Sequence, residues 1–142
     1  MEPPIGRHLH WVARIVQRSF NDALETAGGS QPVWLILLSV KVKDFDTQGE
    51  LARAIGIEGP TLTHHLDAME HDGLVIRRRD PDNRRATRVE LTPAGDELFE
   101  RLREEATRFD EQLRAGISTA DLERVRWSLT RMAENVSHSP PG

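Results

Sequence analysis

Apolar positions along the chain recur with two different periods, and the change between them divides it into helical and extended parts. Leu9, Val12, Val16, Phe20, Ala23 and Leu24 fall largely at steps of three and four, which predicts an amphipathic helix from Ile5 to Thr26 closed by Gly28 and Gly29. The run VWLILLSVKV from Val33 to Val42 is apolar on every side. With Pro32 in its first turn it reads as a buried helix, although its β-branched residues also suit a strand. Thr47 followed three residues later by Glu50 is a capping box opening a short helix with Leu51, Ala52 and Ile55 inward and Gly56 as its stop. Pro60 then begins another helix, with Leu62, Leu66 and Met69 on one face and Gly73 at its end. From Leu74 the period switches to two: LVIRRR and ATRVEL flank a turn-rich DPDNR, the pattern of a β-hairpin. Thr92 and Pro93 cap a long helix through Leu98, Leu102, Phe109 and Leu113 to Gly116. Ser118 with Asp121 resembles a second capping box, and Leu122, Val125, Leu129, Met132 and Val136 follow at spacings of 3, 4, 3 and 4.

The first helix and the last two each carry a long apolar stripe, while the middle of the chain is too small to cover all three. Packing of the ends against a second copy in a two-fold dimer is the economical solution, with an intramolecular bundle as the alternative. A length of 142 residues fits one domain. Absence of cysteine excludes disulfides, thiolate metal sites, a catalytic thiol and thiol redox sensing. Six histidines raise the question of a metal, but His64 and His71 stand two turns apart and His8 and His10 do not share a helical face. Neither a phosphate-cradling glycine loop nor a nucleophile motif is present, so the expectation is no enzyme, no catalytic residue, no metal and no cofactor. No apolar run approaches the roughly 20 residues of a membrane span, and Met1 to His10 lacks the form of a signal peptide, so a cytoplasmic protein is expected.

A net charge of −4 argues against a nucleic-acid partner only until the charges are placed. Leu74 to Thr92 holds six arginines against three acids, a local +3 on a remainder of −7. A basic strip on an acidic body is an electrostatic footprint with a position. The element order is that of a winged helix-turn-helix. The helical period places Thr61, His64, His65 and Ala68 on the outer side of the second helix, with Thr63 at its flank. Threonine and histidine hydrogen-bond base edges, and the threonine methyl matches that of thymine. On the hairpin, Arg84 and Arg85 suit phosphates or a narrowed minor groove. A solvated hairpin whose Asp80, Asp82 and Glu90 pair with its arginines is the competing reading.

The segment TQGELARAIGIEGPTLTHHLDAMEHDGLVIRRRDPDNRRATRVELTPAG resembles the MarR/SlyA family of bacterial transcription regulators. The likeness extends to the flanking helices, the Trp34 region and ISTADLERV, and so covers nearly the whole chain. It implies a mainly α fold with a small β-hairpin wing: a winged helix-turn-helix over 32–92, dimerisation helices over 5–27 and 93–136, and a disordered tail over 137–142. It also implies a homodimer on a pseudo-palindromic stretch of double-stranded DNA, a repressor acting on its operator. It implies operator contacts from Thr61, Thr63 and His64 and from the wing arginine Arg85, to which the reading of the residues adds His65 on the outer face and Asn83 and Arg84 in the wing. Asn83 stands where the family usually has an aspartate that orients the arginine, so its grip on Arg85 lacks charge assistance. His64 stands where an arginine is common, which alters the base read. The family further resembles a ligand-release switch, for which Trp11, Arg14 and Trp34 are candidates to hold a small aromatic acid. Those tryptophans are equally consistent with core packing. A winged-helix dimer that docks proteins, or a DNA binder without a ligand, remain the alternatives.

Overall fold

The structure, a computed structural model, describes residues 2–43 and 45–137; of residues 83–85 it describes the backbone. Of the tail expected to be disordered, only Ser137 falls among them, and the rest lies outside the described residues. Six helices and one two-stranded antiparallel sheet account for the described chain: α1 (Ile5–Thr26), α2 (Gln31–Val42), α3 (Gln48–Ile55), α4 (Gly59–His71), β1 (Val75–Asp80), β2 (Asn83–Leu91), α5 (Pro93–Arg114) and α6 (Thr119–Val136). This is the mainly helical winged-helix fold. No described helix is long and apolar enough to cross a membrane.

Local chemistry explains most of the boundaries. The Ser30 hydroxyl accepts from the Val33 amide at 3.3 Å, so α2 starts at Gln31, two residues before the apolar run, with Pro32 in its first turn. The Ser30 cap and Pro32 in the first turn favour a helix for that run, and Trp34, Ile36, Leu37 and Val40 are buried because it is surrounded on several sides. At α3 the Thr47 hydroxyl accepts from Glu50 N at 3.1 Å, but the Glu50 carboxylate reaches back to Asp46 N at 2.9 Å, one residue earlier than in the usual capping box. Ser118 caps α6 by accepting from Asp121 N at 3.1 Å.

The chain divides into two compact units, 1–109 and 110–142. In the first, Leu24, Ile36, Leu37, Leu51, Leu62, Leu66 and Leu102 are completely buried, each burial worth about 2 kcal/mol. Trp34 stacks on Phe99 in the same core, with centroids 5.6 Å apart and planes at 13°. Asn21 of α1 accepts the Gln31 amide at 3.0 Å, tying the end of α1 to the start of α2. Leu24 is the one fully buried residue of α1, Phe20 packs partly buried against the core, and Ile5, Leu9, Trp11, Val12 and Ile15 are exposed. In the second unit α6 has no buried residue, and Val125, Leu129 and Val136 of its stripe are exposed.

Candidate nucleic-acid interface

Leu51 and Ala52 of α3 and Leu62, Leu66 and Met69 of α4 bury the inner faces of a helix-turn-helix, joined through Gly56 at φ +76° and the Ile57 amide bonded to Ala52 O at 3.0 Å. That burial fixes which side of α4 is offered outward. Thr61, Thr63, His64 and Ala68 are exposed, while His65 is half-buried with its ring 6.0 Å from that of His64. The Thr63 hydroxyl donates to Gly59 O at 3.1 Å, so its proton is committed to the helix. Thr63 therefore offers an outside partner an acceptor lone pair and a methyl group, a narrower vocabulary than sequence alone assigns it.

The wing is more differentiated than a basic strip. β1 and β2 pair in the register Val75↔Leu91 to Arg79↔Thr87, with an irregularity before Asp80↔Asn83. Pro81 and Asp82 make the turn, held by Asp82 N donating to the Asp80 carboxylate at 2.9 Å. The backbone puts Asn83, Arg84 and Arg85 at the start of β2, directly after the tip; their side chains lie outside the described residues. Arg78 and Arg88 are exposed and directly opposite each other, an unfavourable like-charge pair that Asp80 relieves through Arg88 at 3.6 Å. An anion such as phosphate would relieve it further.

Arg77 does something else. Its side chain is 20% exposed and pairs with the carboxylates of Asp67 and of Glu70, the latter at 3.1 Å, both on α4. Glu70 also accepts the Arg77 backbone amide at 3.2 Å. Counting Arg77 with the free wing arginines is thus corrected: it faces the helix, because residues 75 and 77 lie on the inner side of the hairpin with buried Val75. Asp67 and Glu70, one turn apart on α4, were the signal available in the sequence.

Hydrogen bonding from the Arg77 side chain holds the Glu70 carboxyl below its ordinary value, and the two carboxylates raise Arg77 further, so this arginine stays charged throughout. A depressed carboxyl pKa stabilises the fold above the ordinary value near 4.5 and loses that contribution as pH falls through the folded value. The melting temperatures of wild type and Glu70→Gln are accordingly expected to differ by a constant amount from neutral pH down to about 5, and to converge below that. A difference unchanged at pH ~3 would show that ionisation of Glu70 contributes nothing.

The base of the wing is knotted. The Thr92 hydroxyl donates to Gly73 O at 2.5 Å and accepts from Gly95 N at 3.0 Å, while Thr92 N donates to Leu74 O at 3.0 Å. One threonine therefore caps α5 and fastens the end of β2 to the turn between α4 and β1.

The three residues considered for a small ligand are not gathered in this chain. Trp34 is core, stacked on Phe99, whereas Arg14 is exposed and Trp11 is 59% exposed beside His8. Trp11 lies about 20 Å along α1 from Leu24, where that helix enters the core. A cavity of about 510 Å³ opens elsewhere, between the end of α2 and β2, lined by Val40, Lys43, Phe45, Asp46, Arg88 and Glu90 among others.

Comparison with known proteins converges on one family. The model of the MarR family matches residues 30–87. The crystal structure of the transcriptional regulator PA3341 is 32% identical, superposes with a TM-score of 0.77, and the match covers 93% of this chain and 97% of that one. The transcriptional repressor CouR, bound to a 23-mer DNA duplex, is 25% identical with a TM-score of 0.80 over 92% of each chain. The organohalide-sensing regulator RdhR in its 2,4-dichlorophenol-bound form shares the fold, at 22% identity and a TM-score of 0.77 over 95% of this chain and 82% of that one.

Proposed function

The chain belongs to the MarR family of transcription regulators, and from that premise we propose that it is a homodimeric, sequence-specific DNA-binding repressor working in the cytoplasm on a pseudo-palindromic operator. The family is one of regulators rather than enzymes. The observation that carries the reading is the outward face of α4, where Thr61, Thr63 and His64 project from a helix whose other side is locked by Leu62, Leu66 and Met69. The arginine-bearing start of β2 follows the same helix through one hairpin. Base edges would be read by α4, His65 contributing from the margin, and phosphates or a minor groove met by Arg84 and Arg85 beside Asn83.

Dimerisation would use 5–27 and 93–136, whose exposed apolar residues on α1 and α6 need a cover. Two copies of α4 would then enter successive major grooves about 34 to 36 Å apart. Bound across a promoter, such a dimer represses by occlusion. Release by a small aromatic acid belongs to this reading through Trp11 and Arg14; both are exposed in the single chain, so a second copy would have to supply the opposite wall.

Sequencing of genomic fragments retained by the purified protein, titrated at two salt concentrations, tests the proposal. An enriched inverted repeat with half-sites one turn apart is expected. Steep salt-dependent retention of every fragment, without enrichment, would defeat it. On the enriched site, Arg85→Ala is expected to weaken binding and to reduce the salt slope by about one unit for each phosphate-contacting arginine lost. His64→Ala should instead relax preference at one operator position, costing about 1 to 3 kcal/mol against the best base. Equal losses on all DNA for both variants would remove His64 from base reading.

A further inference from the structure

The ion cluster at Asp67, Glu70 and Arg77 has a geometry that ordinary surface pairing does not require. Arg77 engages α4 three times: its guanidinium reaches two carboxylates one helical turn apart, and its backbone amide donates to the second of them at 3.2 Å. Both oxygens of Glu70 are used, one on the side chain and one on the main chain of the same strand residue. This fixes the position of β1 as well as the orientation of its arginine. The cluster begins three residues beyond His64 and four beyond Thr63, so it sits one turn further along the same outward face of α4.

Charge alone makes the arrangement costly. Two carboxylates on a helix that approaches phosphates repel them, and one guanidinium neutralises only one of the two. With only a fifth of the Arg77 side chain exposed, the guanidinium is turned to the helix and cannot serve as a free phosphate ligand. We propose that Asp67, Glu70 and Arg77 form a positioning cluster that sets the angle between recognition helix and wing, so that base reading and wing contact are made in one register. This rests on the DNA-reading proposal above and assigns Arg77 a different task from Arg84 and Arg85. The three residues accept a loss in general DNA affinity and supply selectivity instead.

The double variant Asp67→Asn with Glu70→Gln separates these effects because they have opposite signs. It keeps side-chain size, lies on an exposed helix face and makes each protomer more positive by two charges. Affinity for a random duplex is expected to rise, since repulsion of phosphates is relieved. Preference for the operator over that duplex is expected to fall by about tenfold, the loss of the charge-assisted bonds that hold Arg77. Arg77→Met keeps the stem but removes the one nitrogen, Nη2, that meets both carboxylates, and should lose part of the same preference. Operator and random affinities that rise together at constant ratio would overturn the proposal, as would a parallel fall on both, or full preference in Arg77→Met. If the unmodified protein itself shows no operator preference, the DNA-reading proposal fails instead, and the cluster's role fails with it. Preference in wild type with an unchanged ratio in the double variant overturns the cluster's role alone.

Discussion

Gly95→Ala is expected to be the most damaging single-methyl substitution in the wing region, lowering stability by about 3 kcal/mol and the melting temperature by roughly 10 °C. A Cβ at this position would lie 2.1 Å from the carbonyl oxygen of Leu74 and 3.1 Å from its carbon. That carbonyl cannot retreat cheaply, because it accepts the Thr92 amide at 3.0 Å, and Thr92 in turn holds Gly73 O and Gly95 N. Relief therefore requires the first turn of α5 to move away from the strand entrance, breaking the knot that sets the wing's base. Gly49→Ala is the control. It lies exposed in α3 with its nearest neighbour, Thr47 Oγ1, at an ordinary 3.8 Å. It should raise stability by up to about 1 kcal/mol through helix propensity. Thermal unfolding of the two variants decides the matter. Equal and small effects would mean that the approach of α5 to Leu74 is looser than the geometry shows.

Leu129→Glu is expected to have the largest effect on binding, lowering operator affinity by about 100-fold or more while leaving the first compact unit folded. Leu129 is 43% exposed in the single chain, so the charge meets no core there. Its place on the stripe from Leu122 to Val136 would put that charge in the seam between copies. Light scattering should report a dimer for wild type and a monomer for the variant, and half of a palindrome held by one copy is held weakly. A variant that stays dimeric removes α6 from the interface. A wild type that is monomeric at micromolar concentration overturns the dimer outright.

Much of this fold was legible because its signals are local. The periods of three and four, the hydroxyl caps at Thr47 and Ser118, and the glycine stops at Gly56 and Gly73 act within one or two turns, and each recurs in the structure. The fate of the run 33–42 was less clear, since its apolar residues suit two elements; the Ser30 cap and the packing on all sides resolve it as helix. For the recognition helix, burying Leu62, Leu66 and Met69 automatically exposes Thr61 and His64, so its outward face followed from periodicity. Thr63 is exposed, and the bond from its hydroxyl to Gly59 O narrows what it can offer.

Charge and aromatic residues were harder to assign. Six arginines between Leu74 and Thr92 look equivalent along the chain, yet a strand sends alternate side chains to opposite faces, and Arg77 turns to Asp67 and Glu70 while Arg78 meets Arg88. The two tryptophans considered together for a ligand have separate surroundings, Trp34 stacked on Phe99 and Trp11 exposed on α1. Sequence by itself determined the apolar side of the amphipathic helices and most of their caps and stops, since those depend on neighbours within about four residues. Tertiary structure alone decided which arginine is tied to α4 and why position 95 admits no side chain. Both depend on how closely one element approaches another, and that distance is set by the packing of the whole core.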